Sequence, residues 1–182
     1  MKKLALIVLA LELAVCGCGN STPTVNNNTK TTGNWAAFLS GGTAQASLLN
    51  FVVSFSVENS GPLEFTAPPI SFFNQGACFG TSVNDETLNG TAALNTANGG
   101  TVTGTLNLNI ISTTNSNTLS LTGALTGNSN GTTTSVGNLT NGVVVGTWTL
   151  SGGAGDPSCT GSGSFEMCQT PASGGTCPAP TT

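Results

Sequence analysis

The sequence contains no histidine, no arginine and no tyrosine, and its only lysines are Lys2, Lys3 and Lys30. Nucleic-acid binding is excluded, because phosphate neutralisation by lysine and arginine supplies most of the affinity. Zinc sites built on histidine are excluded as well. A serine nucleophile would lack its usual base, since only carboxylates remain to accept the proton. The sequence therefore predicts a protein that is not an enzyme and that uses no cofactor.

Carboxylates are also few, and Asp85 and Glu86 are the only adjacent pair. In an extended strand these two side chains would point to opposite faces, so they do not form a pair of catalytic carboxylates. We interpret the stretch S-V-N-D-E-T as a solvated hairpin turn. The alternative is a weak calcium site built from the side-chain oxygens of Asn84, Asp85 and Glu86.

Residues 1–17 are organised like a secretory signal peptide. Lys2 and Lys3 form a positively charged start, and the apolar run that follows ends at Val15. This run is shorter than the stretch of about 20 residues that a membrane-spanning helix needs. The abrupt change to a polar sequence afterwards favours a cleaved signal over a buried helix.

The end of this segment, L-A-V-C-G-C-G, resembles the lipobox of bacterial lipoproteins, in which a small residue precedes the cysteine that receives the lipid. Gly17 is small and precedes Cys18, so the resemblance implies lipidation at Cys18. The alternative acceptor is Cys16, which follows the larger Val15. The resemblance further implies a membrane partner through a lipid anchor, localisation in the cell envelope, and the outer membrane where a cell has two.

The rest of the chain divides into two parts. Residues 18–33 are polar and low in complexity, which predicts a lipidated N-terminus followed by a flexible tether. Residues 34–182 are enough for one domain with a usable core, and they end in a Pro/Gly-rich tail.

Four cysteines remain beyond the signal region, namely Cys78, Cys159, Cys168 and Cys177. An even number in an exported chain predicts two disulfides, for which three connectivities are possible. We favour Cys78–Cys159 with Cys168–Cys177.

Apolar residues alternate with polar ones along several segments. Residues 49–58 alternate large apolar side chains with mostly polar ones, and residues 101–110 and 119–126 repeat the pattern with threonine, serine and asparagine. This period of two is typical of strands with one buried face. Turn-forming sequences separate the segments, among them N-G at 141–142. The sequence predicts an all-β fold: one antiparallel domain of about eight to ten strands in a barrel-like meander, or alternatively a two-sheet β-sandwich.

A glycine recurs at the core-facing position of four segments: L-N-G-T-A, V-T-G-T-L, L-T-G-A-L and V-V-G-T-W. These glycines are Gly90, Gly104, Gly123 and Gly146. Core-facing glycines in strands indicate either a bend in the sheet or room for a large side chain opposite. Both interpretations are compatible with a barrel.

Two G-x-W sequences contain Trp35 and Trp148. The first resembles the opening motif of lipocalins, which hold small ligands in a barrel. With the lipobox, the Thr/Asn tether and the repeated L-T-G-T strands, the chain more closely resembles uncharacterised β-rich bacterial lipoproteins. This resemblance implies an envelope lipoprotein that acts as a structural or interaction module. The alternative is a lipocalin-like barrel that binds a small apolar ligand.

Overall fold

The computed structural model describes residues 29–42, 49–73, 77–80, 85–97, 100–131, 135–153 and 158–170. These residues form ten strands and, within the described ranges, no helix. The strands are β1 (Thr29–Thr31), β2 (Asn34–Ser40), β3 (Phe51–Glu58), β4 (Ser60–Pro62), β5 (Glu64–Phe72), β6 (Glu86–Thr96), β7 (Thr101–Ser112), β8 (Thr118–Ser129), β9 (Gly137–Ser151) and β10 (Gly161–Thr170). The predicted all-β class and strand number are confirmed.

The long strands β6, β7, β8, β9 and β10 follow one another as an antiparallel meander. Beyond β10 the sheet continues through β2 to β3, and β1 pairs with both β3 and β9. The pairings β1–β3–β2–β10–β9–β1 therefore close on themselves, and the remaining strands extend the same sheet. The barrel-like meander is confirmed, rather than the alternative of two separate sheets.

Asn59 joins the two ends of the extended sheet. It adopts a left-handed backbone conformation with φ of 59°, which asparagine tolerates better than most residues. Its backbone N–H donates to the Thr29 carbonyl at 2.8 Å, and its carbonyl accepts from the Leu94 N–H at 2.6 Å. Its side-chain oxygen also accepts from the Thr29 N–H at 3.0 Å. This one residue therefore connects β1 to β6.

Inside the sheet, the alternation expected from the sequence produces a continuous apolar core. Phe51, Val53, Phe55 and Val57 of β3 are all buried, whereas the residues between them are half-buried. The other strands contribute in the same way, and their outward positions carry mainly threonine, serine and asparagine. The outer surface is therefore rich in neutral hydroxyl and amide groups.

The recurring glycines face the core, as predicted, and the space beside them is occupied either by the neighbouring backbone or by large side chains. At Gly104 and at Gly146 an added Cβ would lie 2.0 Å from a backbone carbonyl oxygen of the neighbouring strand, so the strands approach closely. At Gly123 an added Cβ would lie 3.0 Å from the ring of Phe165 and 2.7 Å from a methyl of Val144. Glycine therefore permits close backbone approach at some positions and makes room for side chains at others.

We expect Gly146→Ala to lower the free energy of unfolding by about 1–3 kcal/mol, the usual cost of overpacking a core. The added methyl would meet the Thr122 carbonyl oxygen and the Cα of Gly123, neither of which can rotate away. Urea denaturation would measure the loss. Ala124→Val is the matched control, because it adds bulk at an exposed position of the adjacent strand. Equal effects of the two substitutions would contradict the close approach.

The predicted tether, residues 18–33, extends too far toward the C-terminus, because some of its last residues belong to the sheet. Thr29 and Thr31 are buried and lie in β1, although they fall within the segment 18–33. Three residues suffice here because β1 is hydrogen-bonded on both edges, to β3 and to β9. The sheet therefore begins five residues before the expected boundary at Asn34. Residues 18–28 lie outside the described residues.

The N-G sequence at 141–142 is not a turn between strands, contrary to expectation. Both residues lie inside β9, where the pairing with β8 shifts register between Thr126 and Asn128. Asn141 takes a positive φ of 52° at this point. Asparagine tolerates a positive φ, and here Asn141 adopts it in a β-bulge, which bends the strand without ending it.

Candidate functional site

The interior of the barrel is the first candidate, because a lipocalin-like protein would hold its ligand there. Large side chains fill this space, and the largest of them are less than 2% exposed: Trp35, Trp148, Phe51, Phe55, Phe165, Leu49, Leu94, Leu106, Leu108, Ile110, Leu119 and Leu121. They belong to one continuous cluster of buried residues. The described strands therefore fill the interior with their own side chains.

Both tryptophans of the G-x-W sequences are built into this packing. Trp35 stacks on Phe55 with ring centroids 5.5 Å apart, and Gly142 leaves the space that its ring edge occupies. Trp148 packs against Gly42 and donates from Nε1 to the Ser40 carbonyl at 3.0 Å. Each ring is fully buried, so neither offers a platform to a ligand in solvent.

One end of the barrel is covered by a disulfide and a buried asparagine. Cys78 and Cys159 are bonded, as predicted, across 81 positions of sequence. Asn117 is fully buried; its Nδ2 donates to the Cys78 carbonyl at 2.8 Å, and its Oδ1 accepts from the Gly153 N–H at 2.8 Å. We call this arrangement of Cys78, Cys159 and Asn117 the disulfide cap. It connects three loops of the chain.

Cys168 lies on β10 and is also disulfide-bonded. Its predicted partner, Cys177, lies outside the described residues, so the pairing Cys168–Cys177 stays a prediction. Cys16 and Cys18, the predicted lipid acceptors, lie outside them too.

The acidic pair lies close to the disulfide cap, but it does not form the expected turn. Asp85 precedes β6, and its carbonyl accepts from the Thr113 N–H at 2.7 Å, whereas Glu86 is the first residue of the strand and pairs with Ser112. The predicted turn is therefore wrong at Glu86. This residue pairs with β7, so β6 begins earlier in the chain than the sequence indicates. Asn84 lies outside the described residues.

Glu86 has an unusual environment for a carboxylate. Its Oε1 is buried and has no hydrogen-bond partner among the described contacts. Burial raises the pKa of this carboxyl above its ordinary value, and the neighbouring charge of Asp85 raises it further. In the described part of the chain, no three of its Asp, Glu and Cys residues are grouped so as to hold a metal ion.

The raised pKa of Glu86 predicts a specific pH dependence. The folded state binds this proton more tightly than the unfolded state, so ionisation of Glu86 lowers stability as the pH rises through the raised pKa. Acidification to the ordinary carboxyl range removes that cost. We therefore expect Glu86→Gln to raise the melting temperature at pH 7 and to have little effect at a pH below the ordinary value.

Thermal melts across this pH range would test the expectation. Glu64→Gln is the control for loss of one negative charge, because Glu64 is exposed at the start of β5. A stabilisation by Glu86→Gln that persisted unchanged at low pH would contradict the assigned cause.

A second group of charged residues was not predicted from the sequence. Lys30, Glu58 and Glu64 line one open cleft of about 420 Å³ at the end of the barrel where β1 begins. Sequence reasoning placed Lys30 in the tether and gave the two acids no role. Lys30 is brought here because it pairs in register with Glu58 across β1 and β3. These three charged side chains are all exposed to solvent, where ion pairs contribute little to stability.

Another open cleft, of about 530 Å³, lies where β10 ends. Its lining is uncharged and combines hydroxyl and amide side chains, including Asn141, Gln169 and Thr170, with Leu139. Gln169 is already engaged, since its Nε2 donates to the Leu139 carbonyl at 3.0 Å and its Oε1 accepts from the Gly142 N–H. This amide stabilises the bulge of β9.

Searches against protein-family models, curated proteins and solved structures found no match to this chain. No helix among the described residues is long and apolar enough to cross a membrane.

Proposed function

We propose that this protein is a lipid-anchored lipoprotein of the cell envelope whose β-barrel domain acts as a structural or interaction module without catalytic activity. The observation that carries the proposal is the packed interior, in which Trp35, Trp148 and Phe55 occupy the space that a bound ligand would need. A barrel filled by its own side chains presents only its outer surface to partners. The packed interior therefore favours this module over a lipocalin-like barrel that holds a small apolar ligand.

The outer surface supports the same proposal. Outward positions of β7 and β8 carry neutral side chains such as Thr103, Asn107 and Thr122. A neutral, hydroxyl-rich surface is suited to contacts through hydrogen bonds and shape rather than through long-range electrostatic attraction. The acids at the disulfide cap and the charged cleft are local exceptions.

The proposed anchor is close to the barrel in sequence. Thr29, the first residue of β1, follows Cys18 by eleven positions, and a chain of that length reaches at most about 40 Å. Lipidation at Cys18 would therefore keep the end of the barrel with Thr29 and the charged cleft near the membrane. Gly19 follows the acceptor; by the lipoprotein resemblance, this favours the outer membrane in cells that have two.

We expect lipidation to depend on Cys18 and not on Cys16. Cys18→Ser should abolish attachment of the lipid and leave the signal peptide uncleaved, because the acceptor thiol is lost. Cys16→Ser is the matched control and should be processed normally, since serine is also small at that position. Intact-mass measurement of each mature chain would decide. A lipid that remains on Cys18→Ser, or that disappears from Cys16→Ser, would contradict the assignment.

A further inference from the structure

Among the described residues, apolar side chains adjoin one another on the outward face of the four neighbouring strands β3, β2, β10 and β9. Val52, Ala36, Cys168 and Val143 form one row across these strands, because each is paired in register with the next. In the adjacent row, Phe38 and Val145 lie on either side of Glu166. We call the six residues Ala36, Phe38, Val52, Val143, Val145 and Cys168 the outer patch.

The outer patch differs from the rest of the outside of the barrel. On β8 and on β7 beyond it, outward positions carry mainly threonine, serine and asparagine. Ala36 and Cys168 are only 5% and 6% exposed although they point away from the core, and together they form a small hydrophobic cluster of their own. Val145 at the margin is 57% exposed. A contiguous apolar surface of this kind marks a contact site.

The disulfide of Cys168 indicates what occupies the patch. Cys168 is bonded, and the other cysteines with described positions, Cys78 and Cys159, are bonded to each other. The partner sulfur is therefore supplied by chain outside the described residues, and it must meet Cys168 on the outer face. The last described residue, Thr170, lies two positions after Cys168, and twelve residues follow it.

From these observations we propose that residues 171–182 of the same chain cover the outer patch and are held there by a disulfide between Cys168 and Cys177. Only nine positions separate the two cysteines, so the bond requires the chain to turn back beside β10 directly after the strand ends. Residues 171–182 contain no charged side chain, so their alanine and proline side chains can pack on Phe38 and Val143 without placing a second charge beside the carboxylate of Glu166. The outer patch is thus an intramolecular docking surface.

Photo-crosslinking in the full-length protein would test the proposal. A benzoylphenylalanine in place of Phe38 should crosslink to residues 171–182 of its own chain, as identified by mass spectrometry. The same photoreactive residue in place of Asn107 is the control, because Asn107 is an exposed outward residue of β7, which β8 separates from the patch. It should give no crosslink to the segment. Disulfide mapping without reduction should find Cys168 bonded to Cys177 within one chain.

A second variant separates the disulfide from the packing. Cys168→Ala combined with Cys177→Ala keeps residues 171–182 but removes the disulfide that holds them. The yield of the crosslink from position 38 should therefore fall several-fold. Crosslinks from position 38 to a second copy of the chain, or a Cys168 bond to another molecule, would overturn the proposal and identify the patch as an interface between chains. Equal crosslinking from positions 38 and 107 would overturn it as well.

Discussion

Replacing Trp148 with alanine is expected to lower the free energy of unfolding by about 3–5 kcal/mol, the usual cost of truncating a buried tryptophan. The indole is fully buried between β8 and β10, and it packs against the glycines at positions 42 and 163. Truncation leaves a cavity that backbone atoms cannot collapse to fill. It also leaves the Ser40 carbonyl without the hydrogen bond that it accepts from Nε1.

Two controls separate packing from the hydrogen bond. Trp148→Phe keeps most of the buried surface but loses the donor, so it should cost less than Trp148→Ala. Thr149→Ala changes the next residue, which points outward, and should stay within about 0.5 kcal/mol of the parent protein. Chemical denaturation of the three variants measures these differences. Similar losses for Trp148→Ala and Thr149→Ala would show that the interior is not tightly packed.

Removing the disulfide between Cys78 and Cys159 is expected to cost about 2–5 kcal/mol. The bond joins residues 81 positions apart, so it restricts a large part of the unfolded chain. It also holds the Cys78 carbonyl against the buried amide of Asn117. Replacing both cysteines with alanine avoids an unpaired thiol, and urea denaturation without reductant would measure the loss.

The predicted second bond provides a comparison. Cys168→Ala with Cys177→Ala opens a loop of only nine positions, so its cost should be smaller. Thiol titration of the unreduced, denatured mature protein should find no free thiol among these four cysteines. A larger loss from the second pair than from the first would contradict the dominant role of the disulfide cap.

Much of the fold could be predicted from the sequence, because a half-buried strand imposes its period of two directly on the residues. Leu106, Leu108 and Ile110 are all fully buried, as their spacing indicates. The recurring glycines likewise indicated core-facing positions at which the sheet has no room for a side chain. In each case the signal is local: a few neighbouring residues reveal which face is buried.

Features that depend on contacts distant in sequence could not be predicted in the same way. The N-G at 141–142 has the local chemistry of a turn, and only the pairing of β9 with β8 makes it a bulge. Asn59 and Asn117 could not be distinguished in the sequence from its many other asparagines. Their roles in closing the sheet and in the disulfide cap follow from partners 30 or more positions away.

The candidate sites also depend on contacts between residues that are distant in sequence, so they could not be predicted from local patterns. The pairing Cys78–Cys159 was one of three possibilities, and the positions of the loops select it. The cleft formed by Lys30, Glu58 and Glu64 depends on a strand, β1, that is only three residues long. A strand so short has too few residues to show a periodic pattern.

The packed interior is tested most directly by titrating the protein with a brominated fatty acid, whose bromine quenches tryptophan emission on contact. Trp35 and Trp148 are both fully buried, so they report on any molecule that enters the barrel. The Trp148→Ala variant is the positive control, because an apolar cavity opened inside a protein can bind an apolar molecule. A barrel filled by its own side chains predicts no saturable quenching in the parent protein, whereas saturable one-to-one quenching would contradict it and identify a ligand-binding barrel.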